Sequence, residues 1–458
     1  MPGMHGPRRW ALAGAILVAA SAALHLIQAH RIVEPAPEKV VLLGFDGVAP
    51  NLLEPLLAEG RLPQVRRLME AGAYGHLHSF QPCKSGVLWT SIATGKTMLK
   101  HGILDWTYLN EKGIQVPYKD SGRRVKTYWE IMADRGASTG TINWWVSYPP
   151  PPIPKGYVVS NAFRRRSDPD TVSPPALFDW IDPLRVNGDA APAEMKREGF
   201  PEWREEDAPN PLGSALPILQ AYPAYFSHDM TVERVGDYLW TSNPVQVFSC
   251  YFRLPDITSH FAFHFANRAI AEEAARLDDQ GKLTPELMAR VDAEMARIVA
   301  PVYERMDRIL GKYLDRIDSR TLLIVCSDHG FAYFRGGYNH YNPAMPAPDG
   351  VIFLKGPGVR RGARFEGATL LDIAPTILNA MGQPVADDMD GTVLRAAYDE
   401  RFLVRHPVRR IPSYEGPARR TGGSGAGSVD EEVLDDLKTL GYISAPGGPS
   451  PSPAQSPR

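Results

Sequence analysis

The chain has 458 residues, which exceeds one average domain but fits a large α/β enzyme with insertions. Apolar residues make up 44% and charged residues 22%, so the composition favours a globular protein with a sizeable core. The formal net charge of −2 and the lack of a long basic run argue against a nucleic-acid scaffold. Three scattered cysteines exclude a disulfide framework and a cysteine-based zinc site.

The N-terminus reads as an export signal or a membrane anchor. Arg8 and Arg9 precede an apolar run, residues 10–27, whose length lies between that of a cleaved signal peptide and a bilayer-spanning helix. Either form places the bulk of the chain in the periplasm or outside the cell, with membrane attachment through residues 10–27 if the segment is retained. The alternative is a buried core helix.

Strand-like and helix-like segments alternate along the rest of the chain. Short apolar runs predict buried strands at residues 39–46, 73–80, 138–145, 245–253, 321–326 and 351–354. Apolar residues at helical spacing predict helices at residues 51–72, 128–136, 269–314 (broken near Gly281) and 429–443. This alternation predicts an α/β fold with a mostly parallel central sheet and helices on both faces.

The predicted organisation has a core that is interrupted once. Residues 146–240 are rich in Pro, Trp and charge, and we interpret them as an irregular insertion over the active-site face. The segments are a leader or anchor plus linker (1–38), the first part of the catalytic core (39–145), the insertion or cap (146–240), the second part of the core (241–443) and a disordered tail (444–458).

Carboxylates follow three of the predicted strands: Asp46, Asp256 and Asp328. Ligand sites in such sheets form beyond the carboxyl ends of the strands, so we expect these residues to converge. Three histidines accompany them, namely His260, His329 and His340. Mixed oxygen and nitrogen ligands favour two divalent metal ions, zinc first, with manganese or iron as alternatives.

A serine completes this set. Ser85 follows a Pro-containing turn and precedes a segment that can be helical from about Val87. A helix N-terminus offers amide groups and a positive dipole end to an anion. Together the residues predict metal-assisted phosphoryl or sulfuryl transfer.

Two nearby polar residues are interpreted without a role in the chemistry. Lys84, next to Ser85, is interpreted as a solvated residue rather than a phosphate clamp. His264, which lies among phenylalanines, is interpreted as a packing residue rather than a ligand.

These motifs, in this order, resemble the type I phosphodiesterase/nucleotide pyrophosphatase family of the alkaline phosphatase superfamily. The likeness covers most of residues 39–400, and the ordered set makes it specific. The matching elements are the opening strand 40–47, the nucleophile segment 85–95, the His-Gly-Ile element 101–103, the metal motifs 256–260, 327–330 and 339–340, and the closing segments 371–376 and 389–391.

The resemblance implies an alkaline-phosphatase-like fold and a metal-dependent hydrolase of small-molecule phosphate esters, diesters in preference to monoesters. It assigns one metal to Asp46, Ser85, Asp328 and His329, and the other to Asp256, His260 and His340. By position Ser85 is the nucleophile, where it would form a phosphoseryl intermediate. Asp105-Trp106 stands where nucleotide-hydrolysing members tend to have an asparagine, which argues against a nucleotide substrate.

Three other functions compete with this one. A sulfatase of the same superfamily needs Cys/Ser-x-Pro-x-Arg, and the segments starting at Cys83 and Ser85 both lack that Pro and Arg. A membrane-associated transferase of a phospho-headgroup stays open if the N-terminal segment is not cleaved. A catalytically silent binding protein would have no need of the full ligand set.

Overall fold

In the computed structural model, residues 35–210, 215–416, 428–440 and 443 are described. The predicted leader or anchor at residues 10–27 and the predicted tail at 444–458 lie outside these ranges. Among the described helices, none is both long enough and apolar enough to span a bilayer.

A mixed, mostly parallel sheet forms the centre of the molecule, with helices packed around it. The described strands are β1 Lys39–Phe45, β2 Ala73–His78, β3 Thr107–Leu109, β4 Gln115–Pro117, β5 Thr139–Ile142, β6 Gly156–Val159, β7 Val172–Ser173, β8 Val247–Phe252, β9 Thr321–Cys326, β10 Ala332–Phe334, β11 Gly337–Asn339, β12 Gly350–Lys355, β13 Ala363–Thr369, β14 Val385–Ala386 and β15 Arg410–Ile411. Among these, nine strands form one sheet in the order β13-β2-β12-β9-β1-β8-β5-β6-β7. The predicted fold class is confirmed.

The helices of the described residues are α1 Pro50–Ala58, α2 Pro63–Ala71, α3 Ser85–Thr94, α4 Met98–His101, α5 Tyr128–Asp134, α6 Phe178–Ile181, α7 Ala191–Arg197, α8 Ala215–Ser242, α9 Leu254–Ala262, α10 Arg268–Asp279, α11 Pro285–Arg316, α12 Ile373–Ala380, α13 Glu400–Arg405 and α14 Ser428–Thr439. The long helix α11 contacts α1, α2, α9 and α10. Helix α12 packs against α3 and α5.

The central strands β9, β1, β8, β5 and β6 are parallel to one another. Their apolar side chains are buried on both faces, and each such side chain contributes about 1.5–3 kcal/mol through the hydrophobic effect. Strand β12 runs antiparallel to β9 and to β2. All carboxyl ends of the parallel core therefore meet at one edge, where the candidate site lies.

The prediction of a single helix over residues 51–72 was wrong, because the structure has α1 and α2 there. Gly60 adopts a φ of 75°, which a right-handed helix cannot continue. Pro63 is the first residue of α2, the position where its missing N–H costs nothing. By contrast, the predicted break near Gly281 in the helical segment 269–314 is confirmed, since the segment consists of α10 and α11.

The interpretation of residues 146–240 as irregular was wrong in part. Strands β6 and β7 extend the main sheet, and α8 begins within this segment. The four-residue β6 is too short to show a periodicity. Pro223 lies inside α8. Because proline usually interrupts a helix, its presence argued against a helix at this position in the sequence. The role of this segment in substrate choice stays a prediction.

Candidate active site

Asp46 and Asp328 extend from neighbouring parallel strands at the same level. The register pairs Gly44 of β1 with Cys326 of β9, and each aspartate follows its partner residue by two positions. Both side chains are buried, with 1% and 0% of their residue surface exposed. The apolar strands thus deliver two carboxylates to one point at the sheet edge.

Asp256 does not lie at a strand end, contrary to the prediction. Strand β8 ends at Phe252, and Asp256 lies in the first turn of α9. His260 follows one helical turn later, with its Nε2 3.3 Å from Asp256 Oδ1. This helix comes close to the end of β1 because residue 47 is a glycine: a Cβ atom on Gly47 would lie 2.8 Å from the Cα of Asp256.

The two remaining histidines stack on each other. The rings of His329 and His340 have centroids 3.7 Å apart and an interplanar angle of 6°. His329 Nε2 lies 3.2 Å from Asp46 Oδ1 and 3.6 Å from Asp328 Oδ2. His340 Nε2 lies 3.5 Å from Asp256 Oδ1 and 3.3 Å from His260 Nε2. The six predicted Asp and His ligands therefore form one buried cluster.

Ser85 is the first residue of α3, slightly earlier than the predicted helix start, and only 1% of its surface is exposed. Two contacts join its surroundings to the cluster. Trp89, one turn further along α3, donates its Nε1 hydrogen to Asp46 Oδ2 at 3.3 Å. Cys83, two residues before Ser85, has its Sγ 3.6 Å from His340 Nδ1. The helix N-terminus is thereby placed beside the carboxylates and histidines.

The charges in the cluster perturb one another strongly. Burial raises the pKa of Asp46, but the close approach of the charged His329 ring outweighs it and holds the pKa at about 2. Burial and the charge of Asp46 raise the pKa of Asp328 well above its usual value. Burial lowers the pKa of His329, but the charges of Asp328 and Asp46 raise it to about 10. The buried carboxylates therefore favour a positively charged group between them.

The donor atoms fit divalent metal ions. Among the described residues, Asp256, His260 and His340 offer ligand atoms within 4.8 Å of one another, and so do Asp46, Asp256 and His329. Buried atoms of Asp46 (Oδ1), Asp328 (both oxygens) and His329 (Nε2) take part in no hydrogen bond within the described chain. Buried polar atoms are rarely left so, and a bound cation would satisfy them.

Three aromatic residues next to the cluster were not predicted to matter. Tyr251 donates its hydroxyl hydrogen to Asp46 Oδ2, and Trp145 Nε1 donates to the Tyr251 oxygen at 2.6 Å. Trp89 approaches the same carboxylate oxygen, as described above. The sequence carries no signal for Tyr251 beyond its place in an apolar strand, because only the strand order pairs it with Gly44 of β1.

Two interpretations of single residues can be set beside their contacts in the structure. Lys84 is partly exposed and forms an ion pair with Asp105, with Nζ and Oδ1 2.5 Å apart. His264 lies outside the candidate metal groups of the described residues, and its Nδ1 is 3.2 Å from the carbonyl oxygen of Asn210.

The comparison with known families identifies the family of the chain. Residues 40–359 match the type I phosphodiesterase / nucleotide pyrophosphatase family. The chain belongs to this family. Its members are metal-dependent. The matched range includes Asp46, Ser85 and all other candidate ligands.

Curated relatives match over shorter stretches. A 2,3-bisphosphoglycerate-independent phosphoglycerate mutase of Clostridium perfringens is 32% identical over 113 residues, or 24% of this chain and 22% of the relative. A GPI ethanolamine phosphate transferase 3 of Eremothecium gossypii is 22% identical over 156 residues, or 31% of this chain and 15% of the relative. The alignments thus span about a fifth or less of these relatives.

Among solved structures, human ectonucleotide pyrophosphatase / phosphodiesterase 5 is similar, with a TM-score of 0.47 and 12% sequence identity. The match covers 79% of this chain and 100% of that one.

Proposed function

We propose that this protein hydrolyses phosphodiesters with Ser85 as the nucleophile and with metal ions held by the six buried Asp and His side chains. The observation that carries the proposal is the convergence of these side chains on the N-terminal end of α3. Asp46, Ser85, Asp328 and His329 would hold one ion, and Asp256, His260 and His340 the other. Two divalent ions, zinc or alternatively manganese, would neutralise the phosphate oxygens and lower the pKa of the serine hydroxyl.

The reaction proceeds in two displacements. Ser85 Oγ forms a bond to phosphorus while the bond from phosphorus to the leaving alcohol breaks, and the serine proton ends on that alcohol. Water then attacks the phosphoserine, the bond from phosphorus to Oγ breaks, and Oγ regains a proton. A diester therefore yields an alcohol and a phosphate monoester. The amides at the start of α3 stabilise the negative charge on the phosphoryl oxygens.

The pairing of Lys84 with Asp105 supports a diester rather than a monoester. The ammonium group next to the nucleophile already has a carboxylate partner at 2.5 Å. It is therefore less able to balance the second charge of a monoester dianion. A singly charged diester needs less cationic help at this position.

A substrate panel on metal-loaded protein tests the proposal. We expect bis-p-nitrophenyl phosphate to be hydrolysed with a kcat/KM about tenfold or more above that of p-nitrophenyl phosphate and of p-nitrophenyl sulfate. A panel in which the sulfate ester is the best substrate would overturn the assignment.

The variant Ser85→Ala tests the nucleophile, with Ser79→Ala as the matched control. We expect Ser85→Ala to lower kcat by about a thousandfold or more while the metal content stays unchanged. Ser79 is half-buried and precedes the turn, so its replacement should leave kcat within about twofold. Full turnover by Ser85→Ala would rule out the phosphoseryl route.

Transfer to an alcohol is a second candidate. The 156-residue match to a GPI ethanolamine phosphate transferase favours it, because the phosphoserine can be attacked by an alcohol instead of water. Turnover of bis-p-nitrophenyl phosphate in the presence of about 1 M glycerol distinguishes hydrolysis from transfer, because glycerol at this concentration competes with water for the phosphoserine. A hydrolase releases mainly p-nitrophenyl phosphate, whereas a transferase releases mainly the glycerol diester.

We also propose that the protein is exported and acts in the periplasm or outside the cell. The apolar run at residues 10–27 after Arg8 and Arg9 supports this proposal. Cell fractionation with an antibody to the full chain tests it, and recovery of the protein in the cytoplasm alone would contradict it.

A further inference from the structure

Three arginines lie together near the candidate site, and we refer to them as the arginine cluster: Arg164, Arg165 and Arg253. The side chains of Arg164 and Arg253 are 1% and 5% exposed, and that of Arg165 is 11% exposed. Guanidinium groups are seldom buried without an anionic partner. So close a group of buried cations indicates a site for an anion.

The carboxylate of Asp436 occupies this cluster. Its Oδ2 atom forms an ion pair with Arg165, lies 3.0 Å from Arg253 Nη1 and lies 4.0 Å from Arg164 Nη2. Asp436 belongs to α14, near the end of the described chain. The helix is held in place by Leu437 and Leu440, of which 1% and 3% are exposed.

The single carboxylate of Asp436 does not balance the positive charges of the three arginines. Asp229, the other acid nearby, accepts hydrogen bonds from the backbone amides of Arg253 and Leu254. Arg164 Nε takes part in no hydrogen bond within the described chain. Burial and the charge of Arg253 lower the pKa of Arg164 to about 9, as expected where cations outnumber their partners.

The arginine cluster adjoins the proposed active site through two aromatic side chains. The Arg253 guanidinium lies over the Trp145 ring, 5.2 Å from its centroid. Trp145 donates a hydrogen bond to Tyr251, which in turn donates to Asp46. A cavity of about 30 Å³ between Trp145 and α14 is lined by Gly86, the residue after Ser85, and by Leu437. The helix that carries Asp436 therefore borders the nucleophile segment across this cavity.

We propose that the arginine cluster is a subsite for a second anionic group of the substrate, and that Asp436 occupies it as an internal competitor. The substrate class is then a phosphodiester with one arm that bears a carboxylate or a further phosphate. This inference rests on the proposed phosphodiesterase activity. The anion forms charge-assisted hydrogen bonds with the guanidinium groups after Asp436 has left them.

The test compares Asp436→Asn with Asp435→Asn, its neighbour on α14, whose side chain is 72% exposed and pairs with Lys438. Two substrates differ only in the charge of one arm: p-nitrophenyl 2-carboxyethyl phosphate and p-nitrophenyl 2-carbamoylethyl phosphate. We expect Asp436→Asn to raise kcat/KM for the carboxylate substrate about fivefold or more relative to the amide substrate. Asp435→Asn should leave that ratio within about twofold. An unchanged ratio in Asp436→Asn would overturn the subsite.

A binding measurement separates this inference from the proposed function. We expect calorimetry to detect sulfate binding to Asp436→Asn, and the additional substitution Arg165→Gln to abolish it while Arg165→Lys retains part of it. Binding that survives Arg165→Gln overturns the subsite even if the enzyme is active. Loss of binding supports the subsite even if no ester is hydrolysed. Should Asp436→Asn not fold, sulfate should accelerate amide hydrogen exchange at residues 431–440 of the wild-type protein, and unchanged exchange overturns the proposal.

Discussion

Tyr251 donates its hydroxyl hydrogen to Asp46 Oδ2, across the boundary between two neighbouring parallel strands. Burial and the charge of Asp46 raise the pKa of Tyr251 well above its usual value, so the phenol keeps the proton that it donates. Asp46 Oδ1 is left to face His329, 3.2 Å away. The tyrosine therefore fixes which oxygen of Asp46 is available to a metal ion.

We expect Tyr251→Phe to weaken metal binding about 10- to 100-fold, because partners that orient a metal ligand contribute on that order. The measurement is a titration of zinc into chelator-treated protein, with hydrolysis followed in parallel. Tyr157→Phe is the control, since the buried Tyr157 hydroxyl makes no hydrogen bond within the described chain. Equal metal affinities for the two variants would show that Tyr251 does not position Asp46.

Metal removal should abolish activity and destabilise the fold. The buried carboxylates of Asp46, Asp256 and Asp328 would lose the proposed cations that balance their charges. A metal present at 100 times its Kd stabilises the native state by about 2.7 kcal/mol, so chelation should lower Tm by several degrees. Differential scanning calorimetry before and after chelation measures this change. Readdition of zinc and of manganese in separate samples shows which ion restores turnover.

His260 and His264 offer a matched pair for the same question. We expect His260→Ala to lose about one equivalent of metal in elemental analysis, because its Nε2 is among the candidate ligand atoms. His264→Ala should retain the full metal content, because that ring contacts the carbonyl of Asn210 instead. Equal metal content in the two variants would remove His260 from the ligand set.

The strand-end ligands were the predictable part of the site. Asp46 and Asp328 each follow a continuous apolar run, and a run of that kind marks a buried parallel strand whatever its neighbours are. Asp256 was harder to place, since three residues separate it from β8 and α9 begins in between. The i, i+4 spacing of Asp256 and His260 still predicted that both could bind one ion if the chain was helical.

Residues whose role depends on strand order could not be found. Tyr251 lies inside an ordinary apolar strand, and only the pairing of β8 with β1 brings it to Asp46. The arginine cluster combines residues from two loops far apart in the chain with one acid from α14. Such long-range pairing leaves no local periodicity, so the sequence alone predicts the candidate ligands but not the residues that hold them in place.

Gly47 should be intolerant of substitution for two reasons that can be separated. Its φ of 71° disfavours any side chain, and a Cβ atom would lie 2.8 Å from the Cα of Asp256. We expect Gly47→Ala to lower the free energy of unfolding by about 2–5 kcal/mol and to weaken metal binding. Gly60→Ala is the control: its φ is 75°, and nothing lies within 4 Å of the added Cβ.

Gly60→Ala should therefore show only the backbone strain, about 1–2 kcal/mol, with unchanged metal affinity. Urea denaturation of both variants gives the difference, which measures the close approach of α9 to the end of β1. If Gly47→Ala bound metal like the wild type, the contact between Gly47 and Asp256 would have no part in forming the site.

His101 gives the fold a dependence on pH that is separate from the metal cluster. Its Nδ1 accepts a hydrogen bond from the Ile103 amide at 3.1 Å, and its Nε2 lies 3.0 Å from Ser91 Oγ, so the ring is bound in its neutral form. Burial, followed by the charge of Arg123, lowers the pKa of His101 to about 3. Protonation would place a hydrogen on Nδ1 against the Ile103 N–H.

The unfolded chain binds this proton below pH 6.5, the usual pKa of histidine, while the folded protein does not bind it until about pH 3. The stabilising contribution of neutral His101 is therefore complete above pH 6.5 and decreases by about 1.4 kcal/mol per pH unit below it. We expect the difference in unfolding free energy between the wild type and His101→Gln to decrease at that rate from pH 6.5 to 5. Urea denaturation of chelator-treated proteins measures it, so that metal loss does not contribute. A difference that stays constant over this range would show that His101 is protonated in the folded state as readily as in the unfolded chain.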